Sequence, residues 1–407
     1  MLSFTTMMKR LTITAIASAL LTAAAAHAQT TAEAAAVRRF ARAFLTYVPD
    51  SAYEVRFDHS GTTAYGAYQV YTVIRSVADD KNTEQVAMVL DETTRMVTAG
   101  LVAPLPATDP PVTAENLPRF VSGGLPQVLA QVFPAIKVRV RWPGTPARPT
   151  AVVPLTIDVS TGYGWAHMPL GITADGKYMA LGSAWSLDRD PREARRETID
   201  PGLVQWDPGH QGAVVNVVEF SDYECPACKR GWGEMKPAMA QLGDKVHHGI
   251  VNFPLVTNHP WAFRAAVAGS CIAKAWPDKL LPFKEEMYRL QDSLTVATVD
   301  DAAFGFLDQQ TLDKAAFLGC YMKDPAIDRV LDQMNLGHRL GVLGTPAYYA
   351  NGELLPFGQR AVVAARLQAI IDAGGKPENA AEVVVPRATA TPAAPATAAP
   401  PPPEPHR

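Results

Sequence analysis

Between Val37 and Val48 the apolar residues Val37, Phe40, Ala41, Phe44, Leu45 and Val48 return every three or four positions, the spacing of one helical face. Thr30 and Glu33 stand where a capping box would open that helix, and Pro49, Asp50 and Ser51 end it. Strand-like alternation follows at Tyr53–Phe57, Ala67–Ile74, Gln85–Leu90 and Met96–Val102, with Asp91–Arg95 as a turn. The order then starts again. A helical stripe through Leu117, Phe120, Val121, Val128, Leu129 and Val132, broken at Gly123, Gly124 and Pro126, precedes strands over Ile136–Trp142, Ala151–Val159, Gly164–Ile172 and Tyr178–Trp185. Setting Glu54–Phe57 against Lys137–Val140 gives an offset of 83, and setting Gly100 against Gly182 gives 82. This pattern predicts two α+β repeats, 29–110 and 111–188, each a helix on an antiparallel sheet. Any two helix-plus-meander units would look alike, so chance resemblance between them stays open.

Asp190, Pro191 and Glu193 form a second capping signal, opening a short charged helix in a linker over 189–211. The next segment changes character. Val214–Phe220 is a β-branched, nearly continuous apolar run, as expected of a strand buried on both faces, and it stops just before Cys225 and Cys228. A helix through Met235, Met239 and Leu242 leads to a strand around His248–Leu255. His247 and His248 would point to opposite faces of that strand, which excludes a shared metal and suggests a solvated pair. Helical pattern runs from about Trp261 to Leu340 with breaks near Asp278 and Asp300, Asn351-Gly352 marks a hairpin, and a last helix spans Val362–Ile371. His59 and His167 are isolated and read as surface or core residues. The end of the chain, 377–407, is expected to be a disordered tail, Ala/Pro/Thr-rich from Pro386 onward.

A length of 407 residues allows two or three domains, and a net charge of −3 argues against nucleic acid as the main partner. Lys9 and Arg10 precede the apolar run Leu11–Ala26, and Ala26, His27 and Ala28 offer a cleavage site, so 1–28 reads as a secretory signal peptide. The alternative is an uncleaved anchor. No later stretch is apolar enough to span a bilayer. Export would place the protein in the periplasm or another extracytoplasmic compartment where disulfides persist.

Compartment gives the two cysteines their meaning. A Cys-Pro-Ala-Cys sequence at a helix start puts Cys225 where unpaired N–H groups and the helix dipole stabilise a thiolate, with Lys229 adding to that effect and Glu224 opposing it. Pro226 suits the first helical turn, and Cys228, one turn on, is placed to resolve a mixed disulfide. A zinc half-site would need further ligands, yet Cys271 and Cys320 stand alone, and haem attachment would need His where Lys229 is. Neither a metal nor a cofactor is called for. A purely structural bridge across so short a loop would constrain the unfolded chain weakly, which leaves redox chemistry. Cys271 and Cys320 would meet if their helices folded back antiparallel; otherwise they are two separate buried thiols.

The strand, the dithiol at a helix start, the second strand, the helical stretch, Thr345-Pro346 and the hairpin together resemble the thioredoxin fold with a helical insert, in particular the DsbA-like thiol:disulfide oxidoreductases. The resemblance covers about Gly212–Gly375, carried by Phe220–Cys228 and Gly344–Pro346, with support from Phe253–Leu255, His259-Pro260 and Ala265-Ala266. It implies an α/β thioredoxin-like domain over 212–376, with the insert at about 260–340. It further implies that Cys225 attacks, Cys228 resolves, and Thr345, before a cis Pro346, pairs with a bound polypeptide. It makes a Cys271–Cys320 disulfide relevant, because some members carry a second bridge in the insert. The expected activity is disulfide exchange, most simply oxidation, with cysteine-containing exported polypeptides and a separate redox partner protein. The N-terminal region departs from the DsbA pattern and is reminiscent of the isomerases DsbC and DsbG, which raises an isomerase that dimerises through that region. A third reading is a secreted binding module that uses the thioredoxin fold only as a scaffold.

Overall fold

The computed structural model describes residues 31–49, 51–77, 83–132, 136–144 and 150–383. The signal-peptide reading, the Thr30 half of the first capping box and the segment from Pro386 onward lie outside the described residues.

Helix α1 (Thr31–Phe44) buries Val37, Phe40, Ala41 and Phe44, the stripe its spacing predicts. Strands β1 (Ser51–Thr63), β2 (Gly66–Val77), β3 (Thr83–Asp91) and β4 (Met96–Ala99) follow as an antiparallel meander. The Met96–Val102 stretch does not stay one strand. It splits at Gly100, and β5 (Leu101–Pro104) joins a second sheet made of β6 (Val138–Arg141), β7 (Val152–Ser160), β8 (Trp165–Thr173) and β9 (Tyr178–Leu181). Tyr178–Trp185 splits in the same way at Gly182, and β10 (Ala184–Ser186) crosses back to pair with β4. The sheet orders are therefore β1-β2-β3-β4-β10 and β5-β9-β8-β7-β6, each taking one strand from the other half. Sterics set the crossing point. A Cβ on Gly100 would lie 2.1 Å from the Leu181 carbonyl oxygen, and one on Gly182 would lie 2.7 Å from that of Ala99. The two glycines aligned by the 82-residue offset thus touch across a reciprocal strand exchange, and the division at 110/111 is one of chain rather than of sheet.

The stripe from Leu117 to Val132 was expected to break at its glycines and proline; instead it runs through them as Leu117–Arg119, a π-helical turn Phe120–Gly124 and Leu125–Val132 (together α2). Pro126 has no N–H to continue the regular ladder, and the Leu125 N–H reaches the Phe120 carbonyl five residues back, which widens the helix without ending it.

Asp190 caps α3 (Pro191–Thr198) by accepting the Arg192 N–H at 2.8 Å. This linker helix is a joint. Arg195, 1% exposed, stacks its guanidinium over Phe44 of α1 at 4.2 Å and Tyr349 at 5.2 Å, and donates to the Phe44 carbonyl at 2.8 Å. The thioredoxin-like sheet then begins ahead of Gly212, because β11 (Gln205–Trp206) pairs with β13 (Val246–Asn252). Its order is β11-β13-β12-β14-β15, with β12 (Val215–Ser221) parallel to β13 and antiparallel to β14 (Ala347–Ala350), and β15 (Glu353–Leu355) at the edge. α4 (Pro226–Ala240) is the crossover between β12 and β13. The insert supplies α5 (Ala262–Ala275), α6 (Leu280–Leu290), α7 (Val299–Gln309), α8 (Lys314–Leu318) and α9 (Asp324–Leu340), and α10 (Arg360–Asp372) covers the sheet after the hairpin. β8 leans on α9 through the His167 N–H to Asn335 Oδ1 at 2.6 Å and His338 Nδ1 to the His167 carbonyl at 3.0 Å.

Two expectations need correction. His247 and His248 do face opposite ways, but both are 7% exposed, because β13 is flanked by β11 and β12. His247 Nε2 bonds the Asp207 carbonyl at 2.8 Å and its ring stacks on Trp206. Residues 377–383, assigned to the tail, are packed: Arg366 donates to the carbonyls of Pro377 at 3.0 Å and Ala381 at 2.7 Å, and the Val383 N–H donates to Tyr47 Oη at 2.9 Å. Their backbone polar groups satisfy a buried arginine that composition alone does not reveal. No helix among the described residues is long and apolar enough to cross a membrane.

Candidate active site

β12 is central in its sheet, which is why its sequence is apolar nearly throughout, and it delivers the chain to a turn, Asp222–Glu224, at the foot of α4. Cys225 is the N-cap residue of α4, and its carbonyl accepts the Cys228 N–H at 3.0 Å and the Lys229 N–H at 3.2 Å. Cys228 is fully buried; Cys225 keeps 5% of its surface. The Cys225 thiol donates to the Thr345 carbonyl at 3.4 Å, and the Thr345–Pro346 bond is cis. The proline packs directly on α4: a Cβ on Gly231 would lie 3.1 Å from Pro346 Cγ. The structure thus brings together Cys225, Cys228, Thr345 and Pro346, from segments 120 residues apart.

The two sulfurs are electrostatically unequal. A hydrogen bond from the Cys228 thiol lowers the Cys225 pKa to about 6 against the resistance of burial, with help from Thr345 and the Cys228 N–H; Asp222 opposes. Burial pushes Cys228 well up, and the neighbouring Cys225 pushes it further. Lys229, expected to add to the stabilisation of the Cys225 thiolate, pairs its ammonium with Asp292 at 3.0 Å. Glu224 opposes the thiolate less than its charge suggests. Burial raises its pKa to about 7 while its Oε2 accepts the N–H groups of Trp261 and Ala262 at the start of α5.

Beneath the dithiol lies a buried ionic cluster that sequence reasoning missed. Lys284 of α6, 1% exposed, donates to both Glu219 carboxylate oxygens at 2.6 Å, and His248 Nε2 bonds Glu219 Oε2 at 2.9 Å. The ammonium also sits over the Trp232 ring at 4.2 Å. Burial opposes ionisation of Glu219, yet Lys284 and His248 outweigh it and hold the carboxyl at about 2. Burial lowers the His248 pKa, against the pull of Glu219. Cys228 lies within the electrostatic field of Lys284. One signal was present: Glu219 is the lone charged residue inside a largely apolar strand. Nothing in the sequence marks Lys284 as its partner. Among the described residues no group of three or more His, Cys, Asp or Glu side chains is arranged to hold a metal ion.

Cys271 of α5 and Cys320, just after α8, are joined by a disulfide with Cα atoms 5.8 Å apart across 49 residues of sequence. It pins the helical insert to itself. Replacing both with Ala should cost about 2–4 kcal/mol, because closing a loop of this length restricts the unfolded chain. Urea unfolding of the oxidised double variant checks this, and an unchanged midpoint would show the bridge to be energetically idle.

Residues 205–373 match the family model described as Thioredoxin. The C-terminal half is a DsbA-like thioredoxin-fold domain. The chain is 28% identical over 161 residues to disulfide bond formation protein D of Bacillus subtilis (strain 168), covering 36% of this chain and 68% of that protein. A stretch of 146 residues is 27% identical to the Na(+)/H(+) antiporter NhaA 1 of Mycobacterium sp. (strain KMS), 36% of this chain but only 23% of the antiporter's length. Among solved structures, BdbD from Bacillus subtilis in its oxidised form is similar at a TM-score of 0.38 and 20% identity, covering 42% of this chain and 93% of that one.

Proposed function

We propose that the protein is an exported thiol:disulfide oxidoreductase that oxidises cysteine-containing polypeptides through Cys225 and Cys228. The observation that carries this reading is the asymmetry of the pair: one sulfur that keeps a small exposed edge and has its pKa lowered to about 6, the other fully buried and pushed up. In the oxidised protein a substrate thiolate attacks Cys225 Sγ, a mixed disulfide forms, and Cys228 leaves and takes up a proton. A second substrate thiolate then attacks the substrate sulfur of that mixed disulfide, and Cys225 leaves as a thiolate. The substrate loses two electrons and two protons overall, and the dithiol gains the electrons. A low-pKa leaving group favours this last step and stabilises the reduced protein, which makes its disulfide oxidising. The backbone of half-buried Thr345, beside the Cys225 sulfur, is suited to pair with an extended substrate strand. A redox partner protein would return the dithiol to the disulfide. The signal-like 1–28 segment and the Cys271–Cys320 bridge favour action outside the cytoplasm.

The test is alkylation of reduced protein as a function of pH, with Cys225 followed by mass mapping, together with the reduction potential of the pair. We expect a midpoint near 6 and a potential well above the value of about −270 mV typical of thioredoxin. A midpoint at or above about 8.5, the value of an ordinary thiol, would overturn the assignment of Cys225. A potential at the thioredoxin value would overturn the oxidising direction.

A further inference from the structure

Asp222 stands three residues before the attacking thiol and is almost wholly buried, at 1% exposure. Its Oδ1 accepts the Glu224 N–H at 2.7 Å, and its Oδ2 accepts the Leu255 N–H at 2.8 Å and a hydrogen bond from His259 Nδ1 at 2.7 Å. Its carbonyl accepts the Cys225 N–H at 3.2 Å. The carboxylate therefore holds the turn that carries Cys225, and it places a buried negative charge against a sulfur that has to become an anion. Lys229, next to the dithiol in sequence, is engaged with Asp292 and does not offset that charge. His259 is in contact with it.

We propose that His259 is a positioning residue for the dithiol: gripped by Asp222, its imidazolium cancels the carboxylate charge that would otherwise oppose formation of the Cys225 thiolate. This deepens the proposed function and rests on Cys225 being the attacking sulfur. The groups facing His259 are Asp222, Glu224 and Cys225. Burial works against the imidazolium, but the hydrogen bond and charge of Asp222 outweigh it, with Cys225 and Glu224 adding, so that the His259 pKa is raised. Between the Cys225 pKa and that of His259, the thiolate, the imidazolium and the Asp222 carboxylate coexist. Above the His259 pKa the cation is lost and the carboxylate acts on the sulfur uncancelled. The role of Asp222 is then structural, holding the turn, and His259 removes its electrostatic cost to the chemistry.

The experiment measures Cys225 alkylation against pH in the full chain, reduced, for the unaltered protein, His259→Gln, and Asp222→Asn with His259→Gln. His259→Gln should raise the Cys225 midpoint by about one pH unit and slow alkylation at a pH near 6 about fivefold, the scale expected for loss of one nearby charge. The double variant should return most of the way, because the charge being cancelled is also gone. A purely structural histidine would not give that recovery. An unchanged midpoint in His259→Gln, while the unaltered protein still titrates low, overturns the inference; so does a double variant as high as the single. An unaltered protein titrating like a free thiol instead sinks the proposed function itself. Should Asn at position 222 disturb the turn, the reciprocal measurement decides: by linkage the His259 imidazole, followed by NMR, should titrate lower in Cys225→Ser than in the unaltered protein. An identical titration overturns the coupling.

Discussion

Cys225→Ala should bring insulin reduction by the purified protein, with dithiothreitol as the electron source, down to the uncatalysed background. The remaining thiol cannot substitute, because Cys228 is fully buried and its pKa is pushed well up, so at neutral pH it presents neither a thiolate nor a path for a protein disulfide to reach it. Cys228→Ala should fail differently. Its Cys225 still attacks, although without the Cys228 hydrogen bond it ionises at higher pH, and the reaction stops at the mixed disulfide. A covalent adduct of insulin chain on Cys225 should therefore accumulate and disappear on addition of excess reductant. Mass spectrometry distinguishes the two variants directly. Turnover retained by Cys225→Ala would show that the dithiol is not the reacting pair and would favour a thioredoxin-like scaffold with some other purpose.

What could be read before the fold was known follows from how local each feature is. The dithiol, the helix that carries it and Thr345-Pro346 are encoded in short stretches, and each has its own steric or electrostatic reason to be where it is. The meanders were legible because alternation reports burial strand by strand. Alternation does not report which sheet a strand joins, so the exchange at Gly100 and Gly182 was visible only as an offset between two glycines. Partner choice was the general blind spot. Lys229 was assigned to Cys225 by proximity in sequence and is taken instead by Asp292, which lies 63 residues on. His247 and His248 read as solvated because they are polar, yet β11, drawn from the linker, covers the edge of the strand that carries them. Lys284 sits among other charged residues on α6, and only the packing of that helix beneath α4 turns it inward.

The same packing gives the prediction with the largest effect on the fold. Glu219→Leu should destabilise the protein by about 3–5 kcal/mol, the range for breaking a buried ion pair by removing one partner. The loss comes less from the attraction itself than from what remains: Lys284, 1% exposed, would keep an ammonium in an apolar setting with its two carboxylate contacts gone. Lys284→Met should cost a similar amount for the mirror reason. The combined variant, Glu219→Leu with Lys284→Met, should recover much of the loss, because neither charge is then stranded and the replacements are close in volume. Acid should expose the same pair. The Glu219 carboxyl is held at about 2 in the folded protein against an ordinary value of 4.5. Its contribution is therefore fully present above pH 4.5 and is lost as the pH falls from there towards 2, since the unfolded chain takes up the proton first. Urea unfolding at neutral pH and again near pH 3 tests both statements: the gap between the unaltered protein and the combined variant should narrow in acid. A Glu219→Leu protein as stable as the parent at neutral pH would mean that this site does not hold an ionised pair. A gap that widened in acid would show that the carboxyl is not stabilised in its charged form. In either case the charged floor assigned to the Cys228 side of the dithiol would have to be given up.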